Sequence, residues 1–373
     1  MTVIQKGSQA APRVTVLMPV YNGLPYLGAA IKSILAQTYG DFEFVIVDDA
    51  SLDDTLEVAR SYADPRVRLL RNATNQGLIA TLNIGLAAAR GEYIARMDHD
   101  DISLPGRLMA QVDFLDQHPQ IGVLGTGCQL IDADGNPGAT MLFPASHPLI
   151  RWGLAFFSPL VHPTVMMRRS VVSALGGYRA LATHCEDYDL WWRASMVTRI
   201  SNLQEVLLML RKHDASVTAK FTRSHRDNAR EVCRAMLAEG LHIEVPSDLI
   251  SALWGETEAT DAQIRDGMDV FMRHYRDCLS IEGLSLSDRA ALERDLPERV
   301  YQLVNGSAEG IATSLPRTFH MLRRYSRATR TQALTRAERR LLLLHAIGRA
   351  LRSLMKALRA ISRWTRGRRS FFA

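Results

Sequence analysis

Short apolar runs alternate with amphipathic segments along the first hundred residues. Several of the runs are rich in β-branched side chains, which is typical of buried β-strands. The predicted strands cover residues 14–20, 42–48, 67–70 and 93–97. The segments between them have helical spacing and cover residues 25–37, 53–62 and 78–90. The pattern therefore predicts strands and helices that alternate along the chain.

This alternation predicts an α/β fold. Strands that alternate with helices build a mostly parallel, Rossmann-like sheet with helices on both faces. Ligands of such sheets bind at the carboxyl ends of the strands. Two local signals indicate helix starts. Pro25 falls in the first turn of the first helix, where proline is tolerated, and Ser51 with Asp54 resembles a capping pair for the second helix.

The pattern changes beyond Gly122. Residues 123–131 predict a further strand and residues 134–137 a tight turn. From about residue 221 the chain becomes helical and poor in strand signals, and a hinge is expected at 305–316. We predict four parts, namely a flexible N-terminus (1–12), an α/β domain (13–220), a helical extension (221–316) and a basic helical tail (317–373).

The composition is that of a globular protein. Of the 373 residues, 47% are hydrophobic and 23% are charged, which excludes disorder as the main state. No apolar stretch reaches the roughly 20 residues that a membrane-spanning helix needs. Residues 1–12 lack the apolar core of a secretion signal. The cysteines form no CxxC pair, so we expect reduced thiols and a cytoplasmic protein.

Three clusters of acidic residues carry the candidate chemistry. They are Asp48-Asp49, Asp98-His99-Asp100-Asp101, and Glu186-Asp187 with Asp189. Carboxylates packed this closely repel one another and raise each other's pKa unless a cation lies among them. Oxygen ligands suit Mg²⁺ or Mn²⁺ rather than Zn²⁺. We therefore expect chemistry that is assisted by a divalent metal.

Several ordered motifs resemble the family 2 glycosyltransferases of the GT-A fold. They are VTVLMPVYNG, FEFVIVDDAS, NQG, GEYIARMDHDD and CEDYDLWWR, and the resemblance covers residues 13–220. It implies an inverting hexosyltransferase of polysaccharide biosynthesis that uses a nucleoside diphosphate sugar, with a UDP sugar as the first expectation. The implied acceptor is a glycan or a lipid-linked sugar, and the implied cofactor is Mn²⁺ or Mg²⁺.

The resemblance also assigns roles around the donor. The residues that match donor-binding positions are Pro19, Tyr21, Asn22, Asp48, Asp49, Asn75, Gly77 and Asp98. In the Asp48-Asp49 motif a carboxylate would accept a hydrogen bond from a uracil-type N–H, since an unmatched base would leave a buried charge unpaired. The implied metal ligands are Asp100, Asp98 and His213, with Asp98 also matching the acid that touches the ribose.

The implied acceptor side lies in the CEDYDLWWR motif. Asp187 matches the general base that takes the proton of the acceptor hydroxyl, and Glu186 is expected to orient it. The other acceptor-side positions are Trp191, Trp192 and His162, with core packing favoured for one of the two tryptophans. Arg193 is expected either to face a phosphate or to form a structural ion pair, and Arg107 to form a salt bridge with a nearby acid.

Two alternatives remain open. A metal-dependent nucleotidyltransferase also uses paired acids, but it is expected to have a phosphate loop rich in glycine and lysine. The segment PVYNGLP has one glycine and no lysine at that position. A non-catalytic, membrane-associated scaffold with the same fold would have lost its chemistry, whereas Asp98, Asp100 and Asp187 are present. Metal-dependent hydrolysis of UDP sugars distinguishes the three classes.

Residues 317–373 form a strongly basic tail. They contain 16 lysine and arginine residues and a single acid, Glu338, so their net charge of +15 leaves −9 for the rest of a chain of net charge +6. From Leu344 onward, apolar residues repeat at spacings of three and four, opposite a basic stripe over residues 349–363. This pattern predicts an amphipathic helix. We expect the helix to lie on the anionic inner face of the cell membrane. A docking or coiled-coil helix is the alternative, and no nucleic-acid recognition fold is evident.

Truncation before Arg317 should leave a folded protein that no longer sediments with anionic vesicles. Vesicle binding of the full chain should weaken as salt shortens the Debye length from about 10 Å at 0.1 M to about 3 Å at 1 M. Equal sedimentation of both forms would refute the membrane assignment. A change of oligomeric mass on truncation, without an effect of vesicles, would support the docking helix instead.

Overall fold

The computed structural model describes residues 2–5, 11–213 and 222–305, together with positions 335, 336, 338–340, 342 and 343. The chain forms two compact units, Met1–Val232 and Cys233–Ala373. The amphipathic pattern from Leu344 onward lies outside the described residues, and so does the predicted hinge beyond Asn305. The four predicted parts of the chain therefore stay predictions.

A ten-stranded sheet forms the centre of the first unit. Its strands are β1 (Thr2–Gln5), β2 (Val14–Val20), β3 (Phe42–Asp48), β4 (Val67–Arg71), β5 (Tyr93–Arg96), β6 (Ile102–Ser103), β7 (Ile121–Ile131), β8 (Pro137–Met141), β9 (Met166–Arg168) and β10 (Arg199–Arg211). Their order across the sheet is β1-β4-β3-β2-β5-β9-β7-β10-β6, and β8 pairs with β7. The run β4-β3-β2-β5 is parallel, as is the long β7–β10 pair. The remaining pairs are antiparallel.

Helices connect these strands. They are α1 (Leu27–Leu35), α2 (Thr55–Arg60), α3 (Leu78–Ala88), α4 (Arg107–Gln117), α5 (His147–Gly153), α6 (Arg169–Ala174) and α7 (Glu186–Val197). Both β2 and β3 are buried along their whole lengths, which is why their sequences are mostly apolar and do not alternate between apolar and polar residues. The predicted α/β fold is confirmed, and these two strands have the bounds that the sequence predicts.

Both predicted helix-start signals are wrong. Helix α1 begins at Leu27, so Pro25, which follows a cis peptide bond, precedes the helix instead of lying in its first turn. Helix α2 begins at Thr55 and has no side-chain cap. The hydroxyl of Ser51 instead accepts a hydrogen bond from the backbone N–H of Asn22 at 2.9 Å. Ser51 therefore joins two loops at the carboxyl edge of the sheet.

From residue 222 to residue 305 the described chain consists of helices and short connections. The helices are α8 (Thr222–Leu241), α9 (Ser247–Leu253), α10 (Asp261–Leu279) and α11 (Leu286–Asn305). At the start of α10, Thr260 and Gln263 form a capping box, in which each side chain accepts a hydrogen bond from the other residue's backbone N–H. No helix among the described residues has the length and apolar character to cross a membrane.

A polar network joins the amino ends of the central strands, at the edge opposite the acidic motifs. Glu43 of β3 accepts hydrogen bonds from Thr15 at 2.7 Å, Arg68 at 2.6 Å and Arg90 at 2.8 Å. Gly91 donates its N–H to the Thr15 hydroxyl at 2.9 Å. A Cβ atom at Gly91 would lie 2.4 Å from the backbone nitrogen of Thr15. Only glycine allows the chain to pass β2 this closely.

Gly91→Ala should therefore destabilise the first unit by roughly 3 kcal/mol, because the clash is with backbone that cannot move aside. Urea unfolding followed by circular dichroism measures this change. The matched control is Gly40→Ala, because nothing lies within 4 Å of a Cβ atom at that position. Equal unfolding midpoints for the two variants would contradict the prediction.

Candidate active site

The loop after β5 carries three carboxylates at close range. One oxygen each of Asp98, Asp100 and Asp101 lies within 4.8 Å of the others. The loop starts at the carboxyl end of the parallel strands, because the N–H of Met97 still bonds to the carbonyl oxygen of Leu17 in β2 at 3.0 Å. The structure therefore brings these three acids together where ligands of parallel sheets bind.

Asp101 is the buried member of the group. Burial raises its pKa well above the ordinary value, and the neighbouring charges of Asp98 and Asp100 raise it further. One of its oxygens accepts the backbone N–H of Arg211 at 2.8 Å, whereas Oδ2 has no hydrogen-bond partner in the described part of the chain. The part of this rise that comes from Asp98 and Asp100 is the effect that the sequence predicts for crowded carboxylates.

His213 lies next to this group, as the sequence analysis expected. Its Nε2 is 2.9 Å from Oδ2 of Asp100. The imidazole also packs on the ring of Tyr26, with ring centroids 4.9 Å apart. Carboxylate oxygen and imidazole nitrogen are both atom types that could ligate a divalent ion.

Arg211 is a part of the site that the sequence analysis missed. Its Nε donates to the carbonyl oxygen of Asp100 at 2.9 Å, and its Nη1 donates to the carbonyl oxygens of Asp132 and Ala133, each at 3.0 Å. The guanidinium lies 4.6 Å from the ring centroid of Tyr26. Arg211 thus connects β10 to three loops. The sequence could not predict this role, because the acceptors are backbone carbonyl oxygens, which every residue has.

Asp48 ends β3 and is fully buried. Its carboxylate accepts the backbone N–H of Ser51 at 3.1 Å and pairs with Nε of Arg71 at 3.2 Å. These contacts fix the turn that follows the strand.

Asp49 is buried as well and holds the loop before α3. It accepts hydrogen bonds from Nδ2 of Asn72 at 2.7 Å and from the backbone N–H groups of Gln76 at 2.9 Å and Gly77 at 2.8 Å. Asn75 also accepts the Gly77 N–H, at 3.2 Å. Gly77 has a φ of +83°, so a left-handed backbone explains this glycine. That one of the two aspartates reads a uracil base stays a prediction.

The first loop of the expected donor site follows β2. Pro19 is part of this strand and is buried, whereas the ring of Tyr21 is 40% exposed. Asn22 has a positive φ of 49°, and its Oδ1 accepts the backbone N–H of Leu52 at 2.9 Å. The loops after β2 and β3 are therefore bonded to each other, and Tyr21, in the first of them, is exposed.

Glu186 and Asp187 form the first turn of α7. Glu186 is 5% exposed. Burial raises its pKa to about 7, and the charge of Asp187 adds to this rise. Asp187 is partly exposed, and its Oδ1 accepts the backbone N–H of Tyr188 at 2.7 Å. Arg96 and Asp98 also influence the pKa of Glu186, so the two acidic clusters lie within electrostatic range of each other.

Asp189 serves the structure of α7. It is buried and receives hydrogen bonds from Arg179 and Arg193. Arg193 also donates to the carbonyl oxygens of Leu175 at 2.9 Å and Gly177 at 2.8 Å. Of its two expected roles, the structural ion pair is therefore the one found, because its donors are occupied by protein atoms.

The acceptor-side assignment of both tryptophans needs correction. Trp191 is 0% exposed and Trp192 is 1% exposed, so both indoles are core residues and neither lines an open surface. His162 is buried beside them, and its Nε2 lies 2.8 Å from the hydroxyl of Tyr178. Burial lowers the pKa of His162 well below the ordinary value, and the charge of Arg96 lowers it further. His162 is therefore a neutral, inward-facing side chain.

Arg107 does not form the expected salt bridge among the described residues. The guanidinium is fully buried and donates to Gln111 at 3.1 Å and to the carbonyl oxygen of Arg96 at 2.8 Å. Burial lowers its pKa to about 9, and the nearby charge of Arg96 contributes.

Comparison with known proteins agrees with this geometry. The family model "Glycosyl transferase family 2" matches residues 15–175. EpsE of Bacillus subtilis (strain 168), which carries the name of a glycosyltransferase, is 40% identical over 250 residues, covering 64% of this chain and 88% of that protein. The O-antigen biosynthesis glycosyltransferase WbnJ of Escherichia coli is 35% identical over 211 residues, covering 54% of this chain and 81% of WbnJ.

The fold has a counterpart among solved structures. S. aureus TarS 1–349 in complex with UDP superposes with a TM-score of 0.50 and 18% identity, covering 94% of this chain and 91% of that one. At this identity the likeness concerns the GT-A fold alone. The family match, the relatives and the shared fold agree with the motifs at the ends of β2, β3 and β5, and the chain therefore belongs to glycosyltransferase family 2.

Proposed function

We propose that this glycosyltransferase is an inverting, metal-dependent hexosyltransferase that uses a nucleoside diphosphate sugar, with a UDP sugar as the leading candidate. The acceptor is a glycan or a lipid-linked sugar of polysaccharide biosynthesis. Support for the donor class comes from TarS, which was solved with UDP, and support for the pathway class comes from the O-antigen enzyme WbnJ.

The observation that carries the proposal is the contact between Asp100 and His213, beside Asp98 and Asp101. Oxygen atoms dominate this group, as Mg²⁺ and Mn²⁺ require. The buried Oδ2 of Asp101 lacks a hydrogen-bond partner in the described part of the chain, so an oxygen atom is left there whose bonding capacity the protein does not use. The residues therefore fit a divalent ion, with Asp100 and His213 as ligands and Asp98 beside them.

A bound ion would stabilise the negative charge that develops on the departing nucleoside diphosphate. The protein's own residues hold the donor. The exposed Tyr21 ring provides a surface for the base, and the buried Asp48 and Asp49 keep the surrounding loops in place through the contacts described above. Asn75 and Gly77 shape the loop that closes this side of the donor.

Asp187 is proposed to take the proton from the acceptor hydroxyl as its oxygen attacks the anomeric carbon from the face opposite the leaving group. Its partial exposure makes it reachable for an acceptor, whereas Glu186 is buried behind it. With a pKa of about 7, Glu186 is largely neutral in mildly acidic solution. A neutral Glu186 keeps a second full charge away from the base.

We propose that the basic tail brings the enzyme to the inner face of the cell membrane, where a lipid-linked acceptor would be found. This proposal depends on the charge pattern of residues 317–373. The vesicle sedimentation of full-length and truncated protein described above tests it separately from the chemistry.

Asp100→Ala should reduce Mn²⁺-dependent UDP affinity by on the order of 100-fold, since even residues that only support a metal ligand contribute 10–100-fold. Isothermal titration of UDP with and without Mn²⁺ measures this effect. Asp134→Ala removes an equal charge from an exposed turn and serves as the control. Unchanged Mn²⁺-dependent affinity in folded Asp100→Ala would remove the metal role from this residue.

Asp187→Asn should lower turnover by about 10²–10⁴ while leaving UDP affinity nearly unchanged, because only the proton acceptor is lost. Glu186→Gln mimics the neutral form, so its turnover should stay near wild type below pH 6 and differ from it above pH 7. Hydrolysis or transfer of a panel of nucleotide sugars gives the readout. A large loss in Glu186→Gln with near-normal turnover in Asp187→Asn would assign the base to Glu186 instead.

The pH dependence of stability provides a separate test of the raised pKa of Glu186. The pKa of Glu186 is raised on folding from its ordinary 4.5 to about 7, so its stabilising contribution is complete at low pH and is lost as the pH rises through 7. Glu186→Gln should consequently gain stability relative to wild type between pH 5 and pH 8. The thermal midpoint of both proteins across this range is the measurement.

A further inference from the structure

Arg96 is a buried cation to which the proposed mechanism assigns no role. It is the last residue of β5, its exposed fraction is 3%, and it lies two positions before Asp98. Its Nη1 forms an ion pair with Oδ2 of Asp98. Burial lowers the pKa of Arg96, but the charge and the hydrogen bond of Asp98, with smaller contributions from Tyr178 and Asp101, together raise it above the ordinary value. The guanidinium is therefore charged in the folded protein.

The field of Arg96 reaches residues from several elements. Besides Asp98, its own pKa responds to Tyr178 and Asp101. In turn, Arg96 lowers the pKa of Glu186 and that of His162. One guanidinium thus lies within electrostatic range of both acidic clusters, the loop after β5 and the start of α7.

A buried charge is costly unless an opposite charge compensates it. Asp98 compensates Arg96, so the two side chains act together as a neutral pair. An acid is not the only possible partner for a buried arginine in this region. The equally buried Arg107 donates to an amide oxygen and to backbone carbonyl oxygens instead. The carboxylate that remains available to a cation in this loop is then Asp100, which contacts His213.

We propose that Arg96 is a positioning residue, which holds Asp98 as a neutral ion pair beneath the metal-binding loop and thereby leaves metal ligation to Asp100 and His213. The inference rests on the proposed metal-dependent function. It makes Asp98 a partner of Arg96 and of the bound donor, and it removes Asp98 from the set of metal ligands.

Removing both Arg96 and Asp98 distinguishes the two possible roles of Asp98, which are partner of Arg96 and direct metal ligand. The double variant Arg96→Met/Asp98→Asn changes no net charge. We expect its affinity for Mn²⁺ alone, measured by the loss of the free-ion EPR signal, to stay close to that of wild type. If Asp98 is a direct ligand, affinity should instead fall by on the order of 100-fold, and the proposal is overturned.

The single variant Arg96→Met should increase the affinity for Mn²⁺, whereas damage to the fold would decrease it. Arg96→Met frees the Asp98 charge from its partner, so Mn²⁺ should bind more tightly, by on the order of tenfold. Arg96→Lys keeps the charge and should bind Mn²⁺ like wild type. Arg168→Met is the matched control, because Arg168 is a largely buried arginine of the adjacent β9 that donates to backbone carbonyls. Equal or weaker binding in folded Arg96→Met would contradict the proposal.

Thermal unfolding without metal tests the pair even if wild type binds no Mn²⁺, a result that would reject the proposed function and not the ion pair. Asp98→Asn should lower the unfolding midpoint of wild type, because it leaves Arg96 buried without its counter-charge. In the Arg96→Met background the same substitution should raise the midpoint, because it removes an unpaired carboxylate. The same sign in both backgrounds would refute the pairing.

Discussion

Repulsion among carboxylates is the constraint on which the candidate site depends. Parallel strands end at one edge of the sheet, so the acids that follow β3 and β5 gather there, and the start of α7 adds two more. Such a group raises its own free energy unless opposite charge lies among it. The fold supplies part of that charge from neighbouring strands. Arg71 of β4 pairs with Asp48, and Arg96 of β5 pairs with Asp98.

The compensation is incomplete at the loop after β5. Asp101 is buried with one oxygen bonded to a backbone N–H and the other without a partner in the described part of the chain. Natural proteins retain such costs at sites where a ligand removes them, because binding to the native state alone stabilises that state. A divalent ion beside Asp100 would act in this way. Arg211 prepares the site, since it fixes the backbone of this loop to β10.

The sequence predicted which strands are buried along their whole lengths, but it did not predict individual side-chain contacts. The strands β2 and β3 could be predicted because burial on both faces leaves mostly apolar runs. The resemblance placed His213 with the acids of the loop after β5, and the structure has it beside Asp100. The burial of both Trp191 and Trp192 could not be derived from the sequence. Consecutive helical residues point about 100° apart, so one of the two would be expected to face outward unless the rest of the fold packs around both sides of α7. The predicted capping role of Ser51 was wrong for a related reason. A short hydroxyl side chain has several backbone groups within hydrogen-bonding distance, and the sequence does not show which of them it bonds.

The two neighbouring acids at the start of α7 show how one helix can separate their roles. The amino end of a helix favours negative charge on both. Because consecutive side chains point about 100° apart, Glu186 faces the interior while Asp187 stays partly exposed. Burial outweighs the helix end for Glu186, whose pKa rises to about 7. Environments that divide two adjacent carboxyl groups in this way commonly produce one neutral and one charged group. The partly exposed Asp187 is the residue to which the proposed mechanism assigns the role of base.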